Sequence, residues 1–205
     1  MMDWSDLVRG RRMVRDFTGE PIDDATLRSV LDAARRTPSA GFTQGLDWVV
    51  LVGTEQTSVF WDHTLPAGER SAFPWPGLLR APVIVLPMAD RRAYVSRYAE
   101  ADKAHSGLGE GADRWPVPYW DVDAGMAAMA LLYAVVDAGL GALFFGIFRS
   151  EDELLAELGV PAGVRPIGAL AIGHPTQAAR AVGREGSPSR RPRRPLDEMI
   201  HLGRW

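Results

Sequence analysis

The sequence of 205 residues contains no cysteine, which excludes disulfides, thiolate metal sites and a cysteine nucleophile. Lysine is almost missing as well: Lys103 is the single lysine among 23 basic residues, and the rest are arginine. Neither sign of charge dominates, since 26 acidic residues against those 23 leave a net charge of −3. No global field therefore recruits nucleic acid. The histidines, His63, His105, His174 and His201, are scattered. No HExxH or other metal-ligand spacing occurs, so the expected metal content is none. The serine-hydrolase elbow GxSxG and the phosphate loop GxxxxGKS/T are absent too. Gly139 and Gly141 begin something like GxGxxG, but Phe144 stands at the third glycine and the match follows a helical pattern, not a strand.

The N-terminal MMDWSDLVRGRRMVRDF has no apolar h-region, so no targeting segment is expected. One apolar run, residues 124–148, is about long enough for a bilayer. Asp137 near its middle would cost ~2.5–3.5 kcal/mol there, and Gly139 and Gly141 interrupt it. A buried helix followed by a buried strand is the better reading. A cytoplasmic chain without membrane or nucleic-acid partners is expected.

What remains has ordinary globular proportions, 46% hydrophobic and 24% charged. A chain of this length buries about 70% of its unfolded surface, enough for one sizeable domain over residues 1–205. Asp23 is placed to cap a helix in which Leu27, Val30, Leu31 and Ala34 form one apolar stripe. WVVLVG, PVIVLPM and IGALAIG read as strands, and their unbroken apolar runs favour a sheet covered on both faces. ALFFGIF follows the long apolar helix as a fourth strand. Ser150 and Glu153 have the spacing of a capping box for the helix EDELLAEL. Residues 54–121 hold most of the irregular sequence. Within them Trp115, Tyr119 and Trp120 either cover a site as a lid or cap the core. The mixture predicts an α+β or α/β fold.

Two arginine clusters stand out: Arg9, Arg11, Arg12 and Arg15 near one end, and Arg190, Arg191, Arg193 and Arg194 near the other. They are either solvated faces or fixed, bidentate phosphate donors that converge in the fold.

The segment GRRMVRDFTGEPIDDATLRSVLDAARRTPSAGFTQGLDWVVLV resembles the opening of the FMN-dependent nitroreductase family. RAPVIVLP, DAGLGALFFGIF, PIGALAIGHP and the closing RRPRRPLDE match later family pieces in the same order. The resemblance implies an α+β fold, a three-layer α/β/α sandwich whose mostly antiparallel sheet is wrapped by helices. It also implies an intertwined homodimer with FMN at the seam, where residues of both chains surround it and the apolar helix lies. By this resemblance Arg11, Arg12, Met13 and Arg15 hold the phosphate and ribityl chain, and Pro38, Ser39, Ala40, Thr43 and Gln44 form the loop beside the flavin. Phe145 and Gly146 offer a backbone N–H to flavin N5, and Arg191 and Arg193 reach the phosphate. Phe42, Trp115, Tyr119 and Trp120 line the substrate side. Met13 stands where members usually carry serine, Phe42 where many carry asparagine, and Gly45-Leu46 where Pro-Trp is frequent. The implied activity moves electrons from NAD(P)H to a flat acceptor such as a nitroaromatic or quinone, in ping-pong order. A protein that only binds or stores a flavin or deazaflavin would share every motif.

Overall fold

The sheet grows from apolar stretches whose alternate residues serve two different cores. The computed structural model describes residues 2–181 and 191–205; Arg190 lies outside the described residues. The strands are β1 (Leu46–Val52), β2 (Val83–Asp90), β3 (Gly141–Phe145), β4 (Val164–Pro166) and β5 (Ala169–Gly173). They pair in the order β1-β2-β5-β3, every pairing antiparallel. β1 runs along one side of β2, so β4 and β5 lie end to end along the other. Their ladder breaks at Ile167–Gly168, opposite Pro87, which has no N–H to donate. Pro87 still accepts from the Ile167 N–H at 3.1 Å.

Along β2, Ile84, Leu86 and Met88 face one core and Val83 and Val85 the other, the period-two consequence of a pleated strand. The first core is closed by Phe60 and Trp61 of α3 (Gly53–Thr64), Leu154 of α6 (Glu151–Glu157), Phe17 and Leu78. The second is closed by Leu27, Val30 and Ala34 of α2 (Asp24–Ala34) and by Leu131, Leu132 and Val135 of α5 (Tyr119–Asp137). This is the expected three-layer arrangement. Short helices α1 (Trp4–Gly10), α4 (Arg91–Tyr98) and α7 (Gln177–Ala181) complete it.

Several local expectations change. Asp23 caps α2 as its position predicts, accepting from the Thr26 N–H at 2.8 Å. Ser150 does not build a capping box: its backbone is left-handed, with φ 49°, and its side chain makes no cap bond. Part of the stretch read as irregular is the regular helix α3. The long apolar helix begins at Tyr119, ahead of Asp121 and Asp123. It has the length and composition to cross a membrane, yet Ala127, Leu131 and Val135 are wholly buried beneath the sheet. Its opposite side keeps Val122 and Met126 exposed, at 41% and 36%. Tyr133 on that side packs against Trp4 of α1, ring centroids 5.2 Å apart.

Candidate functional site

The N-terminal arginines are laid along the β3 edge of the sheet. Leaving α1, the chain forms a bridge from Met13 to Ala142, and the Val14 N–H donates to the Ala142 carbonyl at 2.9 Å. The Met13 sulfur receives the Phe144 N–H at 3.5 Å, so Met13 supplies a contact to β3 and no hydroxyl donor. Arg11 caps the end of α1, where its Nη1 is buried without a hydrogen-bond acceptor. A desolvated charged donor left unmade costs at least about 1–3 kcal/mol, and an anion there would remove the cost. Arg15 lies over the Trp75 ring, 5.4 Å from its centroid, a cation–π contact that the sequence pattern does not announce. Arg12 is exposed on the same segment.

β3, whose Ala142 and Phe144 contact the segment that carries these arginines, ends at Phe145 and is followed by Gly146. Phe145 is locked by stacking on Trp61, 5.9 Å between centroids with planes 5° apart. Gly168 lies behind it, where a Cβ would come within 2.7 Å of the Phe145 carbonyl oxygen, so a side chain there would displace the strand end. A cavity of about 380 Å³ opens next to Gly146, lined also by Ile147, Asp121, Glu151 and Arg165. Asp121 accepts from Arg165 Nη2 at 2.7 Å, and its other carboxylate oxygen is buried without a partner.

The second group of predicted residues sits at the other edge, in the loop from Pro38 that leads into β1. The sheet order separates β1 from β3 by three strand spacings, about 14 Å. This loop is strained. Gly41, Phe42 and Gln44 all have left-handed backbones, with φ of 62°, 53° and 55°, a region that costs residues with a Cβ. Such strain persists only where the surroundings over-determine it, and here they do. The Ser39 hydroxyl accepts from the Gln44 N–H at 2.8 Å, Thr43 donates to the Ala40 carbonyl at 2.5 Å, and Arg97 Nε donates to the Gly41 carbonyl at 3.0 Å. Asp123 Oδ2 accepts from the Ala40 N–H and from the Tyr94 hydroxyl, both at 2.7 Å. Burial first, and the Asp123 carboxylate second, hold the Tyr94 phenol above its ordinary pKa; it remains a protonated donor throughout the neutral range. The product of this bracing is an outward ring: Phe42 is 75% exposed.

The aromatic stretch divides. Trp115 is buried, edge-on to Tyr94, Tyr98 and Trp120, with its indole N–H on the Leu108 carbonyl at 3.0 Å. It acts as core for the loop around it and offers no face to a ligand. Tyr119 is exposed and Trp120 half-buried. Arg191 and Arg193 lie in an exposed tail and make no hydrogen bond, ion pair or ring contact among the described residues. Sequence reasoning missed Tyr94, Arg97, Trp75 and the role of Asp123. Only Asp123 carried a usable signal, a carboxylate in an apolar helix.

A sequence model of the Nitroreductase family matches residues 8–174. An NADPH-dependent oxidoreductase of Staphylococcus aureus is 22% identical, over 97% of this chain and 72% of its own length. Among solved structures, a nitroreductase-like protein from Streptococcus mutans superposes with a TM-score of 0.75 at 18% identity, covering 98% of this chain and 97% of its own. A Desulfovibrio desulfuricans protein crystallised in complex with FMN gives 0.67 at 24% identity, covering 98% and 96%.

Proposed function

The chain belongs to the nitroreductase family, and from that membership we propose an FMN-dependent oxidoreductase that works as a homodimer. It carries electrons from NAD(P)H to a small flat acceptor, such as a nitroaromatic or a quinone, in ping-pong order. The observation that carries the reading is Arg11, whose buried Nη1 has no acceptor among the described residues and so fits a cofactor phosphate. Arg12, Arg15 and the tail residues Arg191 and Arg193 add positive charge for the same group. Arginine suits this task because its planar fork binds phosphate oxygens two at a time. A Staphylococcus aureus relative named as an NADPH-dependent oxidoreductase and the FMN bound in the Desulfovibrio desulfuricans structure support the donor and the cofactor.

The two half-sites lie at opposite edges of the sheet, which supports a second copy as the source of the missing half. The strained loop of one chain, with Phe42 at its tip, then faces the Arg11 and Gly146 side of the other. The unpaired apolar side chains Val122 and Met126 on α5 give the copies a surface to meet on.

FMN, when bound, supplies the hydride and electron chemistry. This chain's residues do the rest. Arg11 neutralises the phosphate, the backbone at Phe145 and Gly146 donates at the reacting edge, and Phe42 presents a flat face for stacking. Asp121 and Arg165, in the cavity beside Gly146, provide an acceptor and donors for a polar substituent. Mixing the FMN-loaded protein with NADPH without oxygen tests the reading by the flavin absorbance. Bleaching at the rate of turnover is the expected result. A flavin that binds but never bleaches would indicate a storage protein, and a chain that binds no flavin would end the proposal.

A further inference from the structure

Asp123 is 4% exposed, at the edge of the buried face of α5. Its Oδ2 draws in two neutral donors from different parts of the chain, the Tyr94 hydroxyl of α4 and the Ala40 N–H of the loop, each at 2.7 Å. Ala40 opens the short 3-10 turn Ala40–Phe42, and the residue before it, Ser39, makes no side-chain cap to that turn. Asp123 supplies the cap in its place, from 83 residues away.

The rest of the fit is equally close. Tyr94 is itself buried, edge-on to Trp115 and Trp120, and its hydroxyl also meets the Ser39 side chain. Gly45 lies against that ring, where a Cβ would come within 2.7 Å of Tyr94 Cε2; Gly41 lies as near the Tyr98 ring. The loop has glycine at both places where a tyrosine of α4 presses on it. Between these points Phe42 and Gln44 are held left-handed, a conformation they would leave if the anchor were released.

We infer that Asp123, with Tyr94 as its partner, is the positioning residue that keeps the 39–44 loop in its left-handed form and Phe42 directed outward. It thereby fixes the loop to α5. The ligand side of this inference depends on the flavin reading above; the conformational side does not.

Hydrogen exchange on the flavin-free protein tests it, comparing wild type with Asp123→Asn and Tyr94→Phe. In both variants the amides of residues 40–44 should exchange at least tenfold faster, while those of β2 keep their wild-type rates. Tyr94→Phe retains the ring and its packing, so it decides the question if Asp123→Asn does not fold. Flavin binding supplies a second readout. Both variants should weaken FMN and riboflavin by the same factor, about tenfold, because the loop addresses the ring and not the phosphate. Addition of a charge-bearing side chain without the right length, as in Asp123→Glu, should not restore the wild-type exchange rates. Wild-type exchange at residues 40–44 in Tyr94→Phe would overturn the inference. A wild-type protein that takes up no FMN would instead overturn the functional reading, and the exchange rates would still decide this one.

Discussion

Arg97 and Arg11 show how single arginines serve this fold in opposite ways, one satisfied and one waiting. Arg97 holds the Gly41 carbonyl and both oxygens of Asp102. Its hydrogen bonds keep the Asp102 carboxyl at about 2, below the ordinary 3.8. A carboxyl depressed in the folded state stabilises fully above its unfolded value and stops doing so as pH falls through the folded one. The gap in melting temperature between wild type and Asp102→Asn should therefore be constant above about pH 5 and close as pH falls through 3.8 to about 2. Thermal melts across that range check it, and a gap that widens on acidification would contradict it. Arg11 has no such partner. Arg11→Ala should weaken FMN ten- to a hundredfold, the size of one charge-assisted bond of about 1.5–3 kcal/mol. Riboflavin, which lacks the phosphate, should bind the variant as it binds wild type. Fluorescence titration separates the two outcomes. The arginine cluster was legible because charge density survives in a linear sequence. The carboxylate of Asp123 in an apolar helix was visible too, but not its contact, since its partner Ala40 has a featureless side chain and offers a backbone N–H. Trp115 stayed between two open readings, lid or core, for a related reason: a ring buried by other rings looks, in sequence, like a ring waiting for a ligand.

At the scale of elements, α5 carries the clearest tests. Its sheet side and its outer side differ sharply, although apolar residues occupy both. Met126→Glu should leave a folded monomer, because Met126 points outward. Ala127, which the bare sequence nominates equally well for a disruptive charge, is wholly buried against the chain's own core. Ala127→Asp should unfold the protein, because no partner is available there for a buried charge. Circular dichroism and light scattering on the two variants distinguish lost fold from lost dimer. Leu131→Ala, beneath the sheet, should cost about 2–5 kcal/mol in denaturant unfolding. The strands were readable because β2 is apolar at every position from Val83 to Ala89 except for Pro87, as a sheet covered on both faces requires. Helix α3 was not readable. Thr57, Phe60, Trp61 and Thr64 do follow a helical spacing, but threonine, valine and a starting glycine obscure it. The capping box failed at Ser150 because the chain enters α6 through a left-handed residue, and the spacing of two side chains carries no information on φ.

At the scale of the whole molecule, the proposed site is divided between the two edges of one sheet and completed by a second copy. The sheet order, with β1 and β3 outermost, separates the strained loop from Arg11 and Gly146. Arg191 and Arg193 lie in an exposed tail. Leu196, Leu202 and Trp205 in that tail are exposed as well, apolar surface that a partner would cover. In the proposed two-fold dimer each copy would supply the half that the other lacks. Native mass spectrometry of the protein supplied with FMN reads subunit number and cofactor together. The account predicts a dimer carrying two FMN, with no flavin on any residual monomer. A monomer that retains FMN, or a dimer that takes up none, would contradict it.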